Sequence, residues 1–210
     1  MKKNILGKTG IEVTEVGFGA LPIGPHQQNL SIEDGAKVLA YALDKGINFI
    51  DTAQYYHTYS YISQVLSNMP SEKERPVICS KSLVASYMAM EEAVMEAIDA
   101  FGYVDIFLLH EVRPGDKELR EGAWKFLQDA KSEGLIKAIG VSTHHVDMVK
   151  EFAELDECDL IFPLINYAGL GIRNGSEPGT REEMEEAINY AASKGKGIFT
   201  MKAFGGGPLI

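Results

Sequence analysis

Asp51, Tyr56, Lys81 and His110 bring a carboxylate, a phenol, an ammonium and an imidazole to related places along this chain. Those are the working groups of proton transfer. Asp51 follows the apolar run 47–50, Lys81 follows 77–80 and His110 follows 105–109, while Tyr56 stands five residues beyond Asp51. Strands of a parallel sheet covered on both faces read as continuous hydrophobic runs. A polar residue just past such a run lies where the chain leaves the core, so residues of this kind collect at one sheet edge and line a shared pocket.

The elements that must carry these residues alternate. An opening pair, around Asn4 to Leu6 and Ile11 to Thr14, flanks Gly7-Lys8-Thr9-Gly10 and predicts a β-hairpin. The first strand spans 15–19, and its helix is opened by Ser31 with Asp34 three residues on and stopped by Gly46. Strand two ends at Asp51 and precedes a helix over Tyr59 to Ser67. Strand three ends near Lys81 and precedes a helix through Ala89 to Phe101, whose Met90, Val94, Ala97, Ile98 and Phe101 recur at helical spacing. Strand four ends at His110, and its helix carries Trp124, Leu127 and Ala130. Strand five, Ala138 to Val141, opens into Ser142-Thr143-His144-His145 before a short helix over Val149 to Ala153. Strand six, Leu160 to Ile165, ends at Asn166, and Thr180 with Glu183 marks the next helix by a capping-box pattern. Strand seven, Gly197 to Met201, runs into Lys202-Ala203-Phe204-Gly205-Gly206-Gly207. No Pro- or Ser-rich linker interrupts the series, so residues 1–210 read as one α/β domain with parallel strands and crossover helices. Seven βα units without an eighth predict an incomplete (β/α)8 barrel, truncated at its C-terminal side. Its open edge is a site for self-association.

Composition narrows the function. With 30 acidic against 20 basic residues the formal net charge is -10, which disfavours nucleic acid and anionic membrane as partners. The first residues lack a signal peptide's apolar stretch and no run approaches bilayer-spanning length, so the expected location is the cytoplasm. Cys79 and Cys158 form no disulfide or metal-ligand pattern, and adjacent His144 and His145 lack a further ligand set, so no metal is expected.

The sequence resembles the aldo-keto reductases, NADPH-dependent oxidoreductases on a (β/α)8 barrel. The resemblance is carried by Leu6-Gly7-Lys8-Thr9-Gly10, Val16-Gly17-Phe18-Gly19, Phe49-Ile50-Asp51-Thr52-Ala53-Gln54-Tyr55-Tyr56, Ser80-Lys81, Leu108-Leu109-His110 and Ile139-Gly140-Val141-Ser142. It implies a catalytic tetrad of Asp51, Tyr56, Lys81 and His110 acting on an aldehyde or ketone. The ending from Lys202 to Gly207 resembles the branch whose members carry an iron-sulfur module. Carbonyl reduction needs a hydride on carbon and a proton on oxygen, and a phenol titrating at about 10 is a weak acid for that task. Lys81 beside Tyr56 is expected to lower the phenol, with Asp51 holding Lys81 charged and His110 orienting the substrate oxygen.

The same resemblance implies cofactor contacts from Gly19, Ala20, Asp51, Ser142, Thr143, Asn166, Met201 and Lys202. Ser142 matches a serine that bonds the carboxamide, Thr143 stands where many members have asparagine, and Met201 where many place an aromatic ring. Gly17, Gly19 and Gly24 do not form a dinucleotide fingerprint, because Ala20-Leu21-Pro22 follows Gly19 in place of a helix at the required spacing. Leu21, Tyr55, Leu83 and His110 are the expected substrate walls. NADPH is the expected cofactor, with NADH still open. Two other functions remain open at this stage: a catalytically impaired barrel kept for ligand sensing or assembly, and a Schiff-base lyase using Lys81 or Lys202.

Overall fold

The computed structural model describes residues 1–209. An antiparallel pair, β1 (Lys3–Ile5) and β2 (Glu12–Thr14), comes first. There follow β3 (Phe18–Gly19), α1 (Ile32–Asp44), β4 (Phe49–Asp51), α2 (Tyr59–Ser67), β5 (Val77–Ser82), α3 (Tyr87–Phe101) and β6 (Ile106–Leu109). The second half holds α4 (Asp116–Leu119), α5 (Glu121–Ser132), β7 (Ala138–Thr143), α6 (Val146–Ala153) and β8 (Leu160–Pro163). A small hairpin of β9 (Arg173–Asn174) and β10 (Glu177–Pro178), then α7 (Arg181–Ser193) and β11 (Gly197–Ile198), complete it.

Seven parallel strands form one sheet in the order β11-β8-β7-β6-β5-β4-β3. The sheet curls toward closure. Phe49 on β4, near one edge, meets Phe199, just after the opposite edge strand, with ring centroids 4.9 Å apart. Edge strands β3 and β11 pair with no further strand among the described residues, so the architecture is an incomplete (β/α)8 barrel.

The two-residue period of a strand sorts side chains between two cores. Ile50, Ile78, Phe107, Leu109, Ile139, Val141 and Ile161 face outward and are covered by the helices. Phe49, Cys79, Ile106, Leu108, Ala138, Leu160 and Phe162 face inward, and Leu6, Ile11 and Val13 from the opening hairpin plug the bottom of that inner core. Gly7 is what lets the plug seat. Its φ is +53°, and a Cβ there would lie 2.3 Å from the Gly197 nitrogen, inside any real contact distance.

Local signals in the sequence explain the helix starts. The Ser31 hydroxyl accepts from the Asp34 N–H, Ser86 from Ala89, and Thr180 and Glu183 exchange a full capping box. Helix α3 stops where Gly102 turns left-handed at φ 78°.

The structure corrects several sequence expectations. Regular pairing in the first strand is confined to Phe18–Gly19, and in the last to Gly197–Ile198 with a lone bridge from Leu164 to Met201, because edge strands have one neighbour to define them. Helix α6 begins three residues before Val149, as His145 ends the extended segment. Helix α4 and the β9–β10 hairpin are additions whose elements, of four and two residues, are too short to show a period.

Candidate active site

Inward parity continues past the apolar layer and delivers the polar groups. Phe49 and Asp51 share the inner face of β4, Cys79 and Lys81 that of β5, and Ala138 and Ser142 that of β7. His110 extends the alternation of Ile106 and Leu108 one step beyond β6, with its N–H bonded to the Ser82 carbonyl at 2.9 Å. Register then fixes depth, since Lys81 lies level with Leu108 and Asp51 with Cys79.

Lys81 is fully buried, and its ammonium donates to Asp51 Oδ1 at 2.6 Å and to the Thr52 carbonyl at 2.6 Å. A buried cation is costly unless paired and hydrogen-bonded, and here it is both. Burial pulls the Lys81 pKa down, but the Asp51 carboxylate, with Tyr56 and Cys79 adding to it, offsets this and the group is held above its ordinary value. Burial likewise raises Asp51, against the opposing pull of Lys81.

Tyr56 sits in a 3-10 turn of Gln54–Tyr56 just after β4. The turn is pinned from both sides: Thr52 and Thr58 hydroxyls bond each other at 2.8 Å, and the Ser82 hydroxyl donates to the Gln54 amide oxygen at 2.7 Å. The Tyr56 hydroxyl lies 3.4 Å from His110 Nε2, and the Lys81 ammonium lies 4.7 Å from the centre of the Tyr56 ring. All four groups therefore meet. One expectation is overturned: burial raises the Tyr56 phenol more than Lys81 lowers it, so its pKa is above the ordinary value. The cause is a ring sunk into a poorly solvated site.

Burial, with Lys81 and Arg120 as the next causes, pushes the His110 imidazole down to about 3. It is neutral across the physiological range, and its Nδ1 is buried without a partner. We assign the ring proton to Nε2, because an unpaired buried donor would cost more than a bare acceptor.

These groups open into a cleft of about 380 Å³ whose lining includes Leu21, Tyr55, Tyr56, His110, Ser142 and Met201. That volume lies within the ~300–1,000 Å³ usual for small-ligand sites. Other expected residues vary in where they fall. Leu83 is exposed and does not line this cleft. Ala20 is buried with its N–H on the Asp51 carbonyl at 2.8 Å, while Gly19 beside it has nothing within 4 Å of a would-be Cβ and leaves the β3 exit open. The Ser142 hydroxyl accepts from the Glu111 N–H at 2.9 Å and keeps its own proton uncommitted. Thr143 is spent, its hydroxyl donating to the Val112 carbonyl and accepting from the His145 N–H. Both ends of the Asn166 amide are tied to the Leu170 backbone.

Sequence reasoning missed Arg120. Its side chain is almost fully buried, and its guanidinium donates to the carbonyls of His110 at 2.9 Å, Ser82 at 2.7 Å and Val84 at 3.3 Å. It thereby clamps the exits of β5 and β6, which carry Lys81 and His110. Distance along the chain hid it, since an arginine between two helices reads as a surface charge. His26, Gln27, Glu111 and His144 also line the cleft without a motif to announce them.

Comparison with known proteins identifies the family. The model of the Aldo/keto reductase family matches residues 15–209. L-galactose dehydrogenase of Arabidopsis thaliana is 24% identical over 93% of this chain and 63% of its own length. Methylglyoxal reductase of Escherichia coli is 28% identical over 82% of this chain and 64% of its own length. The chain thus spans just under two thirds of either relative. Among solved structures, a putative aldo-keto reductase from Pseudomonas aeruginosa superposes with a TM-score of 0.78 at 26% identity, covering 96% of this chain and 77% of that one.

Proposed function

The chain belongs to the aldo/keto reductase family, and from that premise we propose that it reduces an aldehyde or ketone to an alcohol with NADPH. The observation that carries the reading is the convergence of Asp51, Tyr56, Lys81 and His110 at the open end of one barrel, with Tyr56 and His110 3.4 Å apart.

The residues of the cleft fit a nicotinamide. Ser142 offers a hydroxyl proton to a carboxamide oxygen, Met201 a polarisable wall, and Gly19 an unobstructed backbone. Thr143 and Asn166 are committed elsewhere, so carboxamide recognition falls chiefly to Ser142. Lys202 lines the same cleft. A nicotinamide held there would supply the hydride that the carbonyl carbon needs.

The chain's own residues manage the proton. Tyr56 carries it, because burial keeps the phenol protonated. As the proton passes to the substrate oxygen a phenolate develops, and the buried Lys81 ammonium stabilises that charge in place of water. Asp51 keeps Lys81 ionised and aimed. Neutral His110 donates from Nε2 to the same oxygen and orients it without competing as an acid. Leu21 and Tyr55 are the proposed substrate walls.

Methylglyoxal reductase among the relatives makes a small α-oxo-aldehyde the first substrate to try. Consumption of NADPH dependent on added methylglyoxal, together with saturable nucleotide binding by fluorescence, supports the reading. Saturable binding of neither nucleotide nor carbonyl would overturn it and favour an assembly role. The lyase alternative is disfavoured, since a nucleophilic lysine must be neutral and Lys81 is held charged by Asp51.

A further inference from the structure

Arg120 is a buried cation that the proton chemistry above does not use. Arginine is rarely buried unless paired, and here the pairing is thin. The one carboxylate within ion-pair distance of it among the described residues, Asp116, stands 3.6 Å from the guanidinium and also accepts the Arg113 N–H at 3.0 Å. The guanidinium directs its donors to backbone instead: Nη2 to the Ser82 carbonyl, Nη1 to that of His110 and Nε to that of Val84. His110 and Val84 lie just beyond the ends of β6 and β5, where strand pairing has stopped and other groups must hold the chain.

Ser82 is the hub. Its carbonyl accepts from Arg120 at 2.7 Å and from the His110 N–H at 2.9 Å, and its hydroxyl donates to Gln54 Oε1 at 2.7 Å. Gln54 opens the turn that ends at Tyr56, and its Nε2 donates to Glu96 Oε2 on α3 at 2.6 Å, which fixes the end of the amide that faces Ser82. Arg120, Ser82 and Gln54 therefore link the residue after Lys81, the backbone of His110 and the turn of Tyr56. None of the three lines the cleft, so they act on the reacting groups from behind. The start of α5 is seated close enough for this reach. A Cβ at Gly122 would lie 3.0 Å from the Tyr87 nitrogen, and the Ala123 N–H bonds the Ala85 carbonyl at 2.9 Å.

We propose that Arg120, acting through Ser82 and Gln54, is a positioning residue for the proton-transfer pair: it holds the exits of β5 and β6 and the 54–56 turn in one register, and so keeps His110 Nε2 facing the Tyr56 hydroxyl. The consequence for turnover rests on the reductase reading, whereas the consequence for geometry does not. The two rings meet edge-on with centroids 5.4 Å apart, and their 3.4 Å contact is longer than a strong hydrogen bond, so it does not set their separation unaided. A misplacement of about 1 Å at reacting groups costs on the order of 10²-fold in rate, which makes that separation worth fixing.

The test uses the full chain with Arg120→Met, Arg120→Lys and Ser82→Ala. Methionine removes the cation, lysine keeps a charge but loses the planar fork that bridges two carbonyls, and Ser82→Ala leaves Arg120 in place and cuts the bond to Gln54. Two quantities are read: the nuclear Overhauser contact between the Tyr56 and His110 rings without nucleotide, and kcat and KM for methylglyoxal alongside NADPH affinity. Each folded variant should weaken the ring contact and lower kcat by about 10–10²-fold, with KM and nucleotide affinity within about twofold of native. Should Arg120→Met fail to fold, Arg120→Lys and Ser82→Ala carry the test. Native kcat with a native ring contact in those two would overturn the assignment. So would an unchanged ring contact with kcat and nucleotide affinity falling together, the mark of a general loosening. If the native chain reduces no carbonyl, the reductase reading fails by itself. The ring contact then decides: weakened in the variants it upholds the positioning role, and unchanged it overturns it.

Discussion

The two ends of the barrel interior are built from the same strands and do opposite work. At the lower end the inward positions are Phe49, Cys79, Ile106, Ala138 and Leu160, sealed by Leu6, Ile11 and Val13 of the opening hairpin. At the upper end the continuing inward positions are Asp51, Lys81, His110 and Ser142. A shift of two or four residues along a strand carries the chain from an apolar seal to a polar group without changing face. The lower layer makes the upper one possible: it excludes water from beneath Lys81, and low solvation strengthens every charge interaction above it.

Four perturbations separate the ends. Lys81→Met strikes the upper end hardest. It leaves Asp51 without its partner and should cost about 3–5 kcal/mol of stability, as breaking a buried pair does. Combining it with Asp51→Asn should recover part of the loss, measurable by urea denaturation as a double-mutant cycle. Leu108→Ala strikes the apolar layer. Leu108 is fully buried, and truncation should cost ~2–5 kcal/mol while leaving the separation of Tyr56 and His110 unchanged. A comparable stability loss with displaced His110 signals would mean that the layers are not separable.

Acid should weaken the upper end selectively. In the unfolded chain an imidazole takes its proton near pH 6.5, whereas folded His110 waits until about 3 and folded His144 until about 4. Between those values the unfolded state binds more protons. The stability gained by keeping both rings neutral is whole above pH 6.5 and is lost progressively as pH falls toward 4 and then 3. His110→Asn should therefore flatten the decline of the denaturation midpoint between pH 7 and 4.5; an unchanged slope would remove His110 from that account. The smallest effect is expected outside both ends. Thr180→Ala removes the α7 cap and should cost about 0.5–2 kcal/mol without altering ligand binding.

Much of this was legible in the residues. Apolar runs ending in Asp51, Lys81 and His110 located three strand exits, and Ser31, Gly46, Thr180 and Glu183 marked helix ends, because strand parity and capping are local. What escaped was non-local. Arg120 binds carbonyls of residues 10, 36 and 38 positions away, and Lys202 meets His144 across 58 positions. The direction of the Tyr56 shift is non-local in the same way. Proximity to Lys81 is suggested by the sequence, but the competing loss of solvent belongs to the whole fold.

The central claim is that Tyr56 gives up the proton at the upper end of the barrel. Its most direct test compares native chain with Tyr56→Phe in a single turnover, following NADPH oxidation by methylglyoxal with nucleotide affinity measured alongside. The account predicts a rate lower by about 10²–10⁴-fold at unchanged affinity for the nucleotide. A variant that turns over as fast as the native chain would contradict it.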